Sequence, residues 1–236
     1  MHNHTQHDHS HISAKPWDFW LARCAILVIA GLQMFIINNF SVGPKWLVPG
    51  LELSLLIPLS IATAWTIRKA GKATEKNHFI ELAGYRHAVR VAAVVLTALV
   101  TLANFASLFQ LIHALLSGKA GAAPSLLLDA INIWATNVIA FALWFWNIDR
   151  GGPALRGVRP YTQPDFLFPQ MAVKQFEDWT PGFIDYLFIA FTNSTAFSPA
   201  DTMPLSHRAK LLMMAEASSS LLVIALVAAR AVGILN

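Results

Sequence analysis

Six ionisable residues stand inside long apolar runs of this chain: Arg23, Glu52, Asp129, Asp185, Glu216 and Arg230. A charge in hydrocarbon is costly unless it is paired or hydrated, so each one marks a place where packing alone is a poor explanation. Glu216 is the deepest, about three turns into the last apolar run. Uncharged polar residues recur beside these charges at helical spacing. Thr97, Thr101 and Asn104 follow i, i+4, i+7; Asp129, Asn132 and Thr136 follow i, i+3, i+7; Ser219 and Ser220 accompany Glu216. Each set falls on one face of a helix. Such a face has two uses: interhelical hydrogen bonding, or lining for a hydrated ion or substrate path. The stretch FTNSTAFSPADTMPL, Phe191 to Leu205, adds Thr192, Asn193, Ser194 and Thr195 where a membrane helix should be apolar. In the second use Thr192, Asn193, Ser194, Thr195, Glu216, Asp129 and Asn132 form the lining. Glu216 attracts a cation, and the hydroxyls and amides replace part of its hydration shell.

Other chemistries have little support. There is no phosphate-binding loop, dinucleotide fingerprint, nucleophile elbow or HExxH pair, so neither an enzyme nor a cofactor is expected. The N-terminal His2, His4, His7, His9 and His11 could bind a transition metal weakly, but they lie in a polar tail, residues 1–16, expected to be disordered. The tail reads as a metal-scavenging segment or as an engineered remnant. A single cysteine, Cys24, excludes an intrachain disulfide. The net charge of +4 and pI near 9.4 raise nucleic acid as a partner. No basic stripe with interleaved aromatics supports it, and the expected surroundings are a lipid bilayer.

The elements that must position these residues follow from composition. Hydrophobic residues make up 56% of the 236 and charged residues 13%, about half the charge of a soluble domain. Mean hydropathy is +0.51. Six apolar runs follow the tail: Trp17 to Phe40, Trp46 to Ile67, Arg86 to Leu116, Ser125 to Trp146, Pro181 to Phe197 and Leu205 to Ile234. They predict an all-α integral membrane bundle of about six transmembrane helices over residues 17–236, interrupted by an interfacial or cytoplasmic connection at 147–180. The fifth run barely reaches across a ~30 Å hydrocarbon core. Gly151, Gly152 and Pro153 are expected to stop the fourth. Basic residues crowd the second-to-third loop (Arg68, Lys69, Lys72, Lys76, Arg86, Arg90) and the connection (Arg150, Arg156, Arg159, Lys174). The positive-inside rule places those loops and both termini in the cytoplasm. Arg208 and Lys210, at the outer start of the sixth run, go against it. Trp17, Trp20, Trp46, Trp65, Trp144, Trp146 and Trp179 read as interfacial anchors.

Ser198, Pro199 and Asp201 fit a helix start with Ser198 as N-cap, which predicts a tight outer turn between the fifth and sixth runs.

The segment DYLFIAFTNSTAFSPADTMPLSHRAKLLMMAEASSSLLVIALVAARAV resembles the pore-helix, filter and inner-helix region of two-span-type potassium channels. Thr192, Ser194 and Thr195 match its threonines, Asp201 its aspartate and Pro204 its proline. The filter glycines are absent: Phe197, Ser198 and Pro199 stand there, and Pro199 cannot copy a filter glycine. From Trp17 onward, with WFW, ID and GGP after the fourth run, the chain also resembles an uncharacterised family of bacterial polytopic membrane proteins. These resemblances imply a multi-pass protein of the cell inner (plasma) membrane. The expected function is passage of a cation or proton, with a homo-oligomer if a pore forms. The alternative is a non-conducting scaffold or complex subunit whose polar stripes serve only packing.

Overall fold

The computed structural model describes residues 16–35, 49–50, 53, 76–117, 123–153, 163–176, 179–196, 198 and 201–235. Helix accounts for 85% of them. Five helices are described: α1 Pro16–Phe35, α2 Lys76–Leu116, α3 Ala123–Ile148, α4 Phe183–Ala196 and α5 His207–Leu235. Two-residue strands β1, Phe166–Leu167, and β2, Met203–Pro204, pair antiparallel.

The expectation of six spans is not met among the described residues. Three stretches are long and apolar enough to cross a bilayer: His87–Leu116, Ser125–Gly151 and His207–Arg230. These are compatible with a membrane protein. In α1 the apolar stretch is shorter, Trp20–Met34. Most of the second run, with Glu52, Trp46 and Trp65, lies outside the described residues, as does the histidine tail. The fifth run is the clearest correction. With 14 residues, α4 is about 21 Å long, short of the ~30 Å a crossing needs.

α3 is the axis of the fold, and α1, α2, α4 and α5 all pack on it. Its sequence explains this, since it is apolar around most of its circumference, as a helix surrounded by others should be. Phe141, Phe145, Ala140, Ala142 and Leu143 are buried. The polar stripe of α2 meets it edge-on. Asn147 Nδ2 donates to Thr97 Oγ1 at 3.4 Å, Trp144 Nε1 to Thr101 Oγ1 at 2.9 Å and Asn104 Nδ2 to the Ile133 carbonyl at 3.1 Å. As the numbering falls on α3 it rises on α2, so the two helices are antiparallel. This stripe is interhelical glue, worth about 0.6 kcal/mol per bond inside a bilayer. Trp144 and Trp146 are therefore not interfacial anchors. Trp144 serves the α2 contact, and Trp146 is buried against Phe183 at 5.5 Å.

The glycines end α3 as expected. Arg150, Gly151 and Gly152 all have positive φ, and a Cβ on Gly152 would sit 2.6 Å from the Asn147 carbonyl oxygen. Only glycine fits there. Two aromatic residues of the connection then pack into the bundle. Phe166 and Phe168 are buried, packing edge-to-face on Tyr186 at 6.2 and 5.5 Å.

α5 does not begin where the Ser198 cap predicted. Its first residue is His207, and Ser206 is the cap: the Ala209 N–H donates to Ser206 Oγ at 3.2 Å. Asp201 lies in a turn ahead of β2.

Candidate functional site

Glu216 lies nine residues into α5, about 14 Å from its start. Its side chain is fully buried. Both carboxylate oxygens are held by α4: Asn193 Nδ2 donates to Oε2 at 2.7 Å, and Ser194 Oγ donates to Oε1 at 3.1 Å. The Asn193 amide also donates to the Met213 carbonyl at 2.9 Å, which sets its position on α5. Asn193 and Ser194 are buried.

A third helix closes the cluster. From α3, Asn137 Nδ2 donates to Ser220 Oγ at 3.0 Å and more distantly, at 3.4 Å, to the Glu216 carbonyl. Ser219 Oγ donates to Asn137 Oδ1 at 3.1 Å and to the Glu216 carbonyl at 2.9 Å. Six polar side chains from three helices thus form one buried network.

The seven residues expected to line a path do not all meet. Asn193, Ser194 and Glu216 do. Thr192 and Thr195 sit on the outer side of α4 and donate to carbonyls of their own helix, Phe188 at 2.8 Å and Phe191 at 2.8 Å. Thr195 is exposed. This back-bonding is the ordinary way a helical threonine satisfies itself. Asp129, Asn132 and Thr136 are buried on α3, but Asn132 is five residues from Asn137, about 140° around the helix. Asn132 therefore points away from the Glu216 network. Among the described residues Asn132 Oδ1 is buried without a hydrogen-bond partner. Asn137 is the member that the sequence reading missed. It breaks the i, i+3, i+7 series of its neighbours, and its membership depends on where α5 packs.

A second polar cluster closes the end of the bundle at the α3 carboxyl terminus. Asp149, fully buried, accepts from Tyr186 Oη at 2.6 Å and from the Asp165 N–H at 2.7 Å. Asp165, also buried, takes a bidentate pair from Arg208, Nε and Nη2 both at 2.6 Å. Arg208 Nη2 also reaches the Ile148 carbonyl at 3.3 Å. The fork of the guanidinium suits this carboxylate. The cluster joins the end of α3, the connection, the first turns of α4 and the start of α5.

The remaining in-span charges have local explanations. Asp185 reaches back to the Gly182 N–H at 2.7 Å and caps α4. Arg23 lies over the Trp20 ring at 5.2 Å. Arg230 is exposed at the far end of α5. Among the described residues no group of three or more His, Cys, Asp or Glu could hold a metal.

Comparison with protein-family models, with curated proteins and with solved structures gave no match.

Proposed function

We propose that this is a multi-pass protein of a cell inner membrane that passes a cation or proton along the α4–α5 seam, with Glu216 as the ion-attracting group. One observation carries the reading: a carboxylate buried to 0% exposure near the middle of an apolar span. Packing alone does not call for it. Interhelical hydrogen bonds in bilayers contribute about 0.6 kcal/mol on average, and at most about 1.7. A charged side chain at the centre of a span costs about 2.5–3.5 kcal/mol or more. A glutamine would accept from Asn193 through its carbonyl oxygen and donate its amide to the Ser194 hydroxyl, at far lower cost. The excess cost of the carboxylate is what a functional role accounts for.

Asn193 and Ser194 hold the carboxyl group, and Asn137, Ser219 and Ser220 extend the polar surface along α5. A pore of this kind is completed by a symmetric homo-oligomer. Of the threonine positions in the resemblance to a channel pore segment, Ser194 supports this reading, whereas Thr192 and Thr195 bond to carbonyls of their own helix.

The competing reading is a scaffold or complex subunit, favoured by the saturation of both Glu216 oxygens. E216Q separates the two in one preparation. Ion passage predicts cation or proton flux in wild-type proteoliposomes, background flux for E216Q, and a folded variant at least as heat-stable as wild type. Background flux for both proteins, with E216Q less stable, would leave only the scaffold.

A further inference from the structure

We infer that α4 is a re-entrant half-helix: the chain enters the bundle along it, returns to the face it came from, and only then crosses through α5. Three sets of contacts carry this. The first turns of α4 lie at the carboxyl end of α3, through Tyr186 on Asp149 at 2.6 Å and Phe183 on Trp146 at 5.5 Å. The start of α5 lies at that same end, through Arg208 on the Ile148 carbonyl at 3.3 Å and on Asp165 at 2.6 Å. The two helices then keep step. Asn193, seven residues beyond Tyr186, meets Met213 and Glu216, five and eight residues beyond Arg208. Helices that begin together and advance together are parallel.

Two consecutive parallel helices require the chain to come back between them. The pairing of β2 with β1 is that return: Met203 opposes Leu167, Pro204 opposes Phe166, and the Leu205 N–H donates to the Asp165 carbonyl at 2.8 Å. Seven residue steps separate Ala196 from Met203, an extended reach of about 24 Å. The ~21 Å of α4 falls within that reach.

The charge distribution agrees. Arg208 and Lys210 break the positive-inside pattern if α4 crosses. If α4 is re-entrant, they join Arg150 and Lys174 on one face, and the anomaly disappears. That face also receives the amino end of α2, which is antiparallel to α3, and its basic residues. It is therefore the cytoplasmic face, and the C-terminus leaves on the other side. Of the three stretches long and apolar enough to cross, α2 then runs outward, α3 inward and α5 outward. A further consequence is that the carboxyl end of α4, the negative end of a helix dipole, stops beside Glu216, with Thr195 and Ala196 on the exposed side. The topology stands whether or not ions pass.

Cysteine labelling from one side tests it. Cys24 is the only cysteine, so C24S gives a blank background for K174C, M203C and N236C. An impermeant maleimide added to intact cells should label N236C and spare K174C and M203C, both of which should react after lysis. Labelling of M203C in intact cells with K174C protected would mean that α4 crosses and would overturn the inference. So would protection of N236C. A reporter active only outside the cytoplasm, fused to the otherwise unchanged C-terminus, provides a check free of substitutions. It should be active, and an inactive fusion at normal expression overturns the inference.

Discussion

At the scale of single residues, Glu216 and Gly152 are set by opposite kinds of constraint. Glu216 is chemically expensive where it stands, and only its partners on α4 make it tolerable. Replacing Asn193 with leucine removes the donor to Oε2 and leaves the Met213 carbonyl short of a bond. A loss of about 1–3 kcal/mol is expected, because a buried carboxyl oxygen is left without its donor. A fall in melting temperature in detergent, larger for N193L than for S194A, checks it. The converse double variant, N193L with E216Q, should recover part of that loss. Gly152 is a steric case. A methyl group there meets the Asn147 carbonyl at 2.6 Å in a backbone of φ +82°, so G152A should cost at least about 1–3 kcal/mol. Equal heat stability of G152A and wild type would contradict this turn geometry. Glu216 was legible in the sequence because charge in an apolar run is conspicuous. Asn137 was not, because nothing in a one-dimensional pattern says which face of α3 meets α5.

At the scale of elements, the helices were easier to read than their ends. α3 was expected from Ser125 to Trp146 and runs Ala123–Ile148, since the glycines that stop it carry a strong local signal. α5 was misplaced at its start. Ser198-Pro199 satisfies the local rules for a helix beginning, but Ser206 holds the cap because β2 must first pair with β1. Tertiary pairing overrode a local preference. S206A should therefore destabilise by about 1 kcal/mol, a typical capping loss, and S198A should be silent. Thermal melts of the two variants decide between the two starts. The Thr97, Thr101 and Asn104 stripe was read correctly as a face, and its partner is α3. Single leucine substitutions at Thr101 should cost only about 0.6–1.7 kcal/mol, in line with bilayer hydrogen bonds.

For the whole molecule, composition fixed the class, and the contacts corrected the number and sense of the crossings. An apolar run of 17 residues reads as a short span when counted along the chain. What it does is set by the contacts at its two ends, and Asp149, Asp165 and Arg208 tie both flanks of α4 to one end of α3. Those three residues are scattered through loops with no periodic pattern, so the cluster was invisible until the chain was folded. The global consequence is a bundle whose buried carboxylate faces a helix that stops beside it. The most direct measurement of whether that carboxylate moves ions is proton and alkali-cation entry into liposomes holding the purified chain, read by an internal pH dye and by tracer uptake under an imposed membrane potential. Entry well above empty liposomes for the wild type, abolished in correctly folded E216Q and retained in T195A, is the predicted result. Entry indistinguishable from empty liposomes for the folded wild type, or undiminished in E216Q, contradicts the account.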